Sequence, residues 1–243
     1  MFIKNESKAK RDARIREIVA RLDEKYGEEP PIFLHSENAW QLLFATILSA
    51  QCTDARVNMV TEKLWKKYRG LEDFANVALE ELEEDIRSTG FYHNKAKNIK
   101  ACAGELLTRF HGEVPKTIEE LTSLPGVGRK TGNLILGNIY HIPSIVVDTH
   151  VKRVSNRLGL ADSKDPTKTE YQLMEVLPED VWIRWNTHII SVGRSFCMSQ
   201  NPDCEGCFLR DLCPSCGNAA KIESTRAGVT SGKTKARAVK NRQ

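Results

Sequence analysis

Apolar residues recur at helical spacing along nearly the whole chain, and this constrains the fold more than any other feature. Ile15, Ile18, Val19, Leu22 and Tyr26 follow the i, i+3, i+4, i+7, i+11 pattern of one helix face. Gly27 and Pro30-Pro31 stop that helix. Asn38 with Gln41 suggests a capping box that opens an apolar helix through Trp40, Leu42, Leu43, Phe44, Ile47 and Leu48. Asp54 is placed to cap a helix running to Gly70. Residues 79–87 read as a short acidic helix ending near Gly90, and Asn94 as the cap of another ending near Gly112. Thr117 with Glu120 is a second capping-box candidate. Only 142–147 looks like a strand, and Pro143 inside it makes a poor one, so it reads as an extended connector. Asp148 is the expected N-cap of a helix through Leu158. Asp165-Pro166 opens a further one, and 181–196 leads into a group of cysteines. The expected architecture is an all-α bundle with a small C-terminal metal-bound loop.

A chain of 243 residues suits one large domain or two small ones. Its 40% apolar and 28% charged residues are ordinary for a globular protein, and no apolar run approaches the ~20 residues of a membrane span. Residues 1–25 are dense in charge and lack a signal-peptide h-region, so the protein is expected to stay inside the cell. The net charge of +4 conceals an uneven distribution. Residues 221–243 hold seven basic residues and one acid, a tail of +6, which leaves −2 for residues 1–220. Such a tail reads first as a solvated, disordered terminus and second as a polyanion-binding arm.

The segment Leu124-Pro125-Gly126-Val127-Gly128-Arg129-Lys130-Thr131 lies between two helices. Glycines two apart allow a tight turn with positive φ and close backbone approach. Amides exposed at the start of the following helix form an anion site. Five basic residues between 124 and 157 (Arg129, Lys130, Lys152, Arg153, Arg157) face one acid, Asp148. Gly126, Gly128 and Arg129 are therefore expected to bind a nucleic-acid backbone phosphate. The plainer reading is a helix–turn–helix linker with a capping glycine.

Lys130 falls in the first turn of the second hairpin helix, where the positive dipole end disfavours a protonated amine and so suits a nucleophile. The helix beyond it rises roughly 16 Å. An extended 141–148 can travel back up to about 26 Å, enough to return Asp148 to the level of Lys130. Together an amine and a carboxylate can attack an electrophilic carbon. On spacing alone the stronger reading remains a phosphate-contacting lysine beside an aspartate that only caps a helix.

Five of the seven cysteines crowd into twenty residues. In an intracellular chain that pattern points to metal rather than disulfides. Cys197, Cys204, Cys207 and Cys213 read C-x6-C-x2-C-x5-C. Zinc would pair Cys204/Cys207 with Cys213/Cys216, but a five-residue connection is cramped against the about 15–20 usual for a ribbon, and Cys197 is left without a partner. Thiolates on irregular backbone suit a four-iron four-sulfur cluster better, with Cys216 spare. Zinc stays open at this point.

LPGVGRKT, VVDTH and the cysteine spacing occur in this order, together with LSAQCTD at 48–54 and GFYHNKAKNI at 90–99. The combination closely resembles the endonuclease III family of helix–hairpin–helix DNA glycosylases over about residues 10 to 213. The resemblance implies two helical domains with a DNA-binding cleft between them. A six-helix domain would span 32–142. A cluster domain would combine the N-terminal helix of 1–31 with 143–220, and 221–243 would be a basic tail. It further implies that Lys130 and Asp148 are catalytic and that Cys197, Cys204, Cys207 and Cys213 hold a 4Fe-4S cluster. Gln51 would fill the gap left by a flipped base, and Phe91 would act as an apolar wedge where Leu is usual. The implied reaction is removal of oxidised pyrimidines through a lysine Schiff base, with β-elimination 3′ to the lesion. The partner would be double-stranded DNA with damaged pyrimidines or abasic sites, met by a cytoplasmic, nucleoid-associated monomer with no membrane contact. The cluster loop is expected to set Arg184, Arg194 or Arg210 against phosphate. Cys52 stands where a small residue is common.

Three other readings compete. An adenine-mismatch glycosylase lacks the lysine and needs a carboxylate before the QxT segment, yet no Asp or Glu occurs between Glu37 and Asp54. A pyrimidine-dimer glycosylase shares the lysine and the cluster. A non-catalytic hairpin module with a structural metal would keep the DNA contacts alone.

Overall fold

The computed structural model describes residues 6–28 and 33–216. The basic tail and Pro30-Pro31 lie outside that range. The described residues are helical, and no strand occurs among them. Helix α1 (Lys8–Tyr26) is followed by α2 (Ala39–Leu48), α3 (Asp54–Lys67), α4 (Leu71–Asn76), α5 (Leu79–Ile86) and α6 (Tyr92–Arg109). After these come α7 (Ile118–Ser123), α8 (Arg129–Tyr140), α9 (Thr149–Arg157), α10 (Pro166–Val176) and α11 (Trp182–Ser195). Among the described residues no helix is long and apolar enough to cross a membrane.

Local chemistry explains most of the helix ends. Ser7, Asn38, Thr53, Thr117, Asp148 and Asp165 each accept a backbone N–H from the first turn they cap. The cap of α3 is thus Thr53, and Asp54 is its first residue. Neither expected capping box is complete. Gln41 Oε1 accepts from Glu37 N, not from Asn38, and Glu120 takes the Thr117 hydroxyl. Helix α6 begins two residues before Asn94, behind Phe91 in the left-handed region. Residues 33–142 carry seven α-helices where six were expected. The addition is α4, a single turn and a half that periodicity does not reveal. Asp73 Oδ2 takes the Arg69 and Gly70 amides at its start, and Lys100 Nζ donates to the Ala75 and Val77 carbonyls at its end, 2.7 Å each.

Two apolar clusters form. One gathers α2 to α8 around Phe44, Phe74, Leu82 and Ile99. The other joins α1 to the second half of the chain around Ile18, Leu22, Val151, Trp185 and Ile189. The 142–147 segment is the expected extended connector, and Ile145 and Val147 enter the second cluster. A cleft lies where the two clusters meet.

Candidate active site and cluster loop

The cleft has a volume of about 680 Å³, and Lys130 and Asp148 both line it. Lys130 is the second residue of α8, and Asp148 is the residue before α9. The connector between them returns alongside α8 because side chains pin it there. Asn133, one turn beyond Lys130 and buried, donates from Nδ2 to Ile145 O at 3.0 Å. Ser144 Oγ donates to Asn133 O at 2.7 Å. From the other side, Asn186 Nδ2 of α11 donates to Val146 O at 3.1 Å. Asp148 Oδ1 accepts from Val151 N at 2.7 Å, which fixes the carboxyl at the helix start. Asn133, Ser144 and Asn186 escaped the sequence reading. The signal was there for one of them, since Asn133 is a buried amide in a run of apolar residues at i+3 from Lys130. His150, beside this pair, is held below the usual histidine pKa by burial, and the nearby Asp148 acts the other way.

The two glycines of the hairpin turn differ in backbone conformation. Gly126 sits at φ +78°, and a Cβ there would lie 2.8 Å from Asn98 Cβ. Gly128 has φ −95°, which any residue adopts, so the positive φ of the turn falls on Gly126 alone. Gly128 instead caps α8 with no side chain, and nothing lies within 4 Å of where its Cβ would be. The first-turn amides of α8 are left uncovered, as an anion site requires.

The local basic charge is more committed than its sequence suggests. Arg129 makes a two-pronged pair with buried Glu170 of α10, at 2.8 and 2.7 Å, and lies over the Tyr171 ring. Arg153 donates to the Gly193 and Cys197 carbonyls, and Arg157 to Met198 O and Ser199 O. Three of the five basic residues therefore hold the protein together. Of the arginines expected to face phosphate, Arg184 is paired with Asp23 at 2.9 Å, and Arg210 with Glu205. Arg194 lines the cleft, half-exposed, near Asp54 and over Phe33. Arg184 and Arg194 lie on α11, not on the cysteine loop.

Gln51 and Phe91 are both exposed and both left-handed, at φ +54° and +49°. Phe91, at 63% exposure, is the most exposed large apolar side chain among the described residues. Non-glycine residues rarely adopt this conformation, and it projects both side chains from short loops.

Cys197, Cys204, Cys207 and Cys213 line one small pocket with Val154, Leu158 and Leu209, and Cys216 reaches the same pocket. Among the described residues no three metal-binding side chains converge on a single-ion site. A tetrahedral zinc needs all its donors about 2.0–2.3 Å from one point. Thiols arranged around a void fit a larger cage. Arg157 Nη1 lies 3.3 Å from Cys197 Sγ, so a donor already faces the thiolate such a cage requires. Cys102 is outside this group. Burial pushes its thiol up to about 12, and it packs in the first cluster.

Comparisons with known proteins give the family. Residues 44–179 match the HhH-GPD superfamily of base excision DNA repair proteins. Residues 197–213 match the iron-sulfur binding domain of endonuclease III, a match that starts at Cys197 and ends at Cys213, short of Cys216. Endonuclease III of Synechocystis is 49% identical over 176 residues, covering 72% of this chain and 80% of the relative. That of Bacillus subtilis is 46% identical over 181 residues, covering 74% and 82%. A solved structure of a trapped endonuclease III–DNA covalent intermediate aligns with TM-score 0.80 and 41% identity, over 86% of this chain and 98% of that one. A thermostable thymine-DNA glycosylase aligns with TM-score 0.75 at 21% identity, a likeness of fold. The chain belongs to the endonuclease III family, whose members are DNA glycosylases and AP lyases of base excision repair and carry a 4Fe-4S cluster.

Proposed function

We propose that this glycosylase/lyase removes oxidised pyrimidines from double-stranded DNA, with Lys130 as nucleophile and Asp148 as its carboxylate partner. The observation that carries the reading is the return of the connector along α8, which brings both side chains to one cleft. The damaged base leaves the stack and enters the cleft. The Lys130 amine attacks the sugar C1′ as the bond to the base breaks, and the base departs with its electron pair. Asp148 takes the proton lost by the amine or, while still ionised, offsets positive charge on the sugar. The nitrogen lone pair then opens the sugar ring: the C1′–O4′ bond breaks, O4′ takes up a proton, and an iminium joins Lys130 to C1′. Loss of a C2′ proton then breaks the C3′–O bond, cutting the strand 3′ to the lesion. Water releases the lysine.

The uncovered amides after Gly126 and Gly128 receive a backbone phosphate, and Gln51 and Phe91 enter the duplex. Arg129 steadies the hairpin through Glu170. Cys197, Cys204, Cys207 and Cys213 are the ligands of the cluster, which when bound fixes the loop it holds. The expected division into two lobes is supported, among the described residues, by one apolar cluster within 33–142 and another that joins α1 to the chain beyond 142. In this reading the protein acts as a monomer on DNA in the cytoplasm.

The test is borohydride trapping on duplexes that carry an oxidised pyrimidine, a pyrimidine dimer or an abasic site. A covalent adduct is expected with the oxidised pyrimidine and the abasic site, and none with Lys130→Gln. An adduct that survives in Lys130→Gln removes the lysine assignment. Trapping on the dimer alone moves the substrate to the pyrimidine-dimer class.

A further inference from the structure

The GFYHNKAKNI segment contributes Phe91 to the site, but its first lysine and second asparagine have no part in the chemistry above. Lys95 is 4% exposed. Its ammonium donates to Leu48 O and to Thr89 O, 2.8 Å each. Leu48 is the last residue of α2, and Gln51 follows three residues on. Thr89 lies two residues before Phe91. A buried cation here costs desolvation that Leu or Met would not. The negative end of the α2 dipole and two carbonyls offset that cost. Asn98, at i+3 and so on the same face of α6, lies against Gly126 of the hairpin turn. One face of α6 thus supports three loops, those of Gln51, Phe91 and Gly126.

We propose that Lys95 is a positioning residue that ties the Gln51 and Phe91 loops at a fixed separation, so that both side chains enter the duplex in register as the base leaves. The inference rests on the reading of Gln51 and Phe91 as duplex-entering groups. Without the tie, each left-handed loop relaxes separately and base extrusion loses its support. Chemistry on a base-free, single-stranded site needs no extrusion and is left intact.

The experiment uses the full-length, cluster-loaded protein and duplexes with 2-aminopurine beside the lesion, whose fluorescence rises on unstacking. Lys95→Met keeps the length of the side chain and removes the donor, and Lys95→Arg keeps a donor. Lys95→Met is expected to lower the fluorescence rise and to slow single-turnover excision from duplex at least tenfold. Borohydride trapping at an abasic site in single-stranded DNA should stay within twofold of the parent. Lys95→Arg should restore much of the duplex rate. Equal losses on duplex and single-stranded substrates, or an unchanged fluorescence rise, overturn the proposal. Phe91→Ala is the control for the underlying reading. If it leaves the fluorescence rise intact, Phe91 does not enter the duplex, and the tie falls with it. Should Lys95→Met fail to fold, Lys95→Gln, with a shorter donor, is expected to show the same split at smaller size.

Discussion

Asp148 carries two duties in one side chain. One carboxylate oxygen caps α9 by accepting from Val151 N, and the group also lines the cleft beside Lys130. The two duties separate by substitution. Asp148→Asn keeps an acceptor for the cap and loses the charge, so it should fold with parental stability and excise bases far more slowly. Asp148→Ala loses both, and should in addition cost about 1 kcal/mol of stability, the usual value of an N-cap. Denaturant unfolding and single-turnover excision measure the two effects apart. Equal stability of the Asn and Ala variants would mean the cap is idle. That Lys130 and Asp148 could reach one cleft was legible because a helix and an extended return have calculable lengths. The pins that secure it were not, because a hydrogen bond from Asn133 to a carbonyl twelve residues away leaves no periodic trace. Arg129 holds a partner that its sequence did not announce. Its charge beside the hairpin suggested phosphate, but Glu170 lies 41 residues on, and nothing in either segment announces the other. Glu170→Gln should therefore weaken the anchoring of the hairpin. It should lower the unfolding temperature and slow excision together, whereas loss of a mere phosphate contact would change affinity and its salt dependence alone.

At the scale of the element, the hairpin's three glycines face different constraints. Gly126 is held at positive φ and pressed against Asn98 Cβ. Gly132 lets α8 approach α7, where an added Cβ would meet the flexible end of Ile118 at 2.5 Å. Gly128 has an ordinary φ and open space. Spacing alone treats Gly126 and Gly128 alike and does not say which of them takes the positive φ. Alanine substitutions should rank accordingly. Gly126→Ala strains the backbone and clashes, so both stability and DNA affinity should fall. Gly128→Ala should unfold at the parental temperature yet bind duplex more weakly, because its methyl lies over amides meant for phosphate. Parental affinity in Gly128→Ala would move the anion site away from the start of α8. The same scale explains the missed α4. A six-residue helix shows too few turns for periodicity, and its ends are satisfied by Asp73 and by Lys100 from α6.

Across the whole molecule, the first helix closes the second lobe from 140 to 200 residues away. Arg14 donates to Leu158 O at 2.7 Å, Arg21 to Phe208 O at 2.9 Å, and Asp23 pairs with Arg184. His188, buried on α11, bonds through Nε2 to Gly27 O at 2.8 Å, at the point where α1 ends. Neutral His188 donates that bond. Burial holds its pKa below the ordinary 6.5, while the Gly27 bond and Asp23 act the other way. The unfolded chain therefore binds a proton at higher pH than the folded one does. The stability this group contributes is complete above 6.5 and is lost as pH falls through the lowered folded value. His150 shifts in the same direction and adds to the slope. Thermal unfolding of the cluster-loaded protein should therefore shift to lower temperature between pH 7.5 and pH 6. His188→Gln, whose side-chain amide can still donate, should flatten part of that slope and leave the contribution of His150. Parallel curves for the two proteins would place the pH dependence elsewhere. Helix periodicity identified α1 and α11 separately, but their junction depends on a carbonyl and a ring 161 residues apart, a distance at which no sequence pattern speaks.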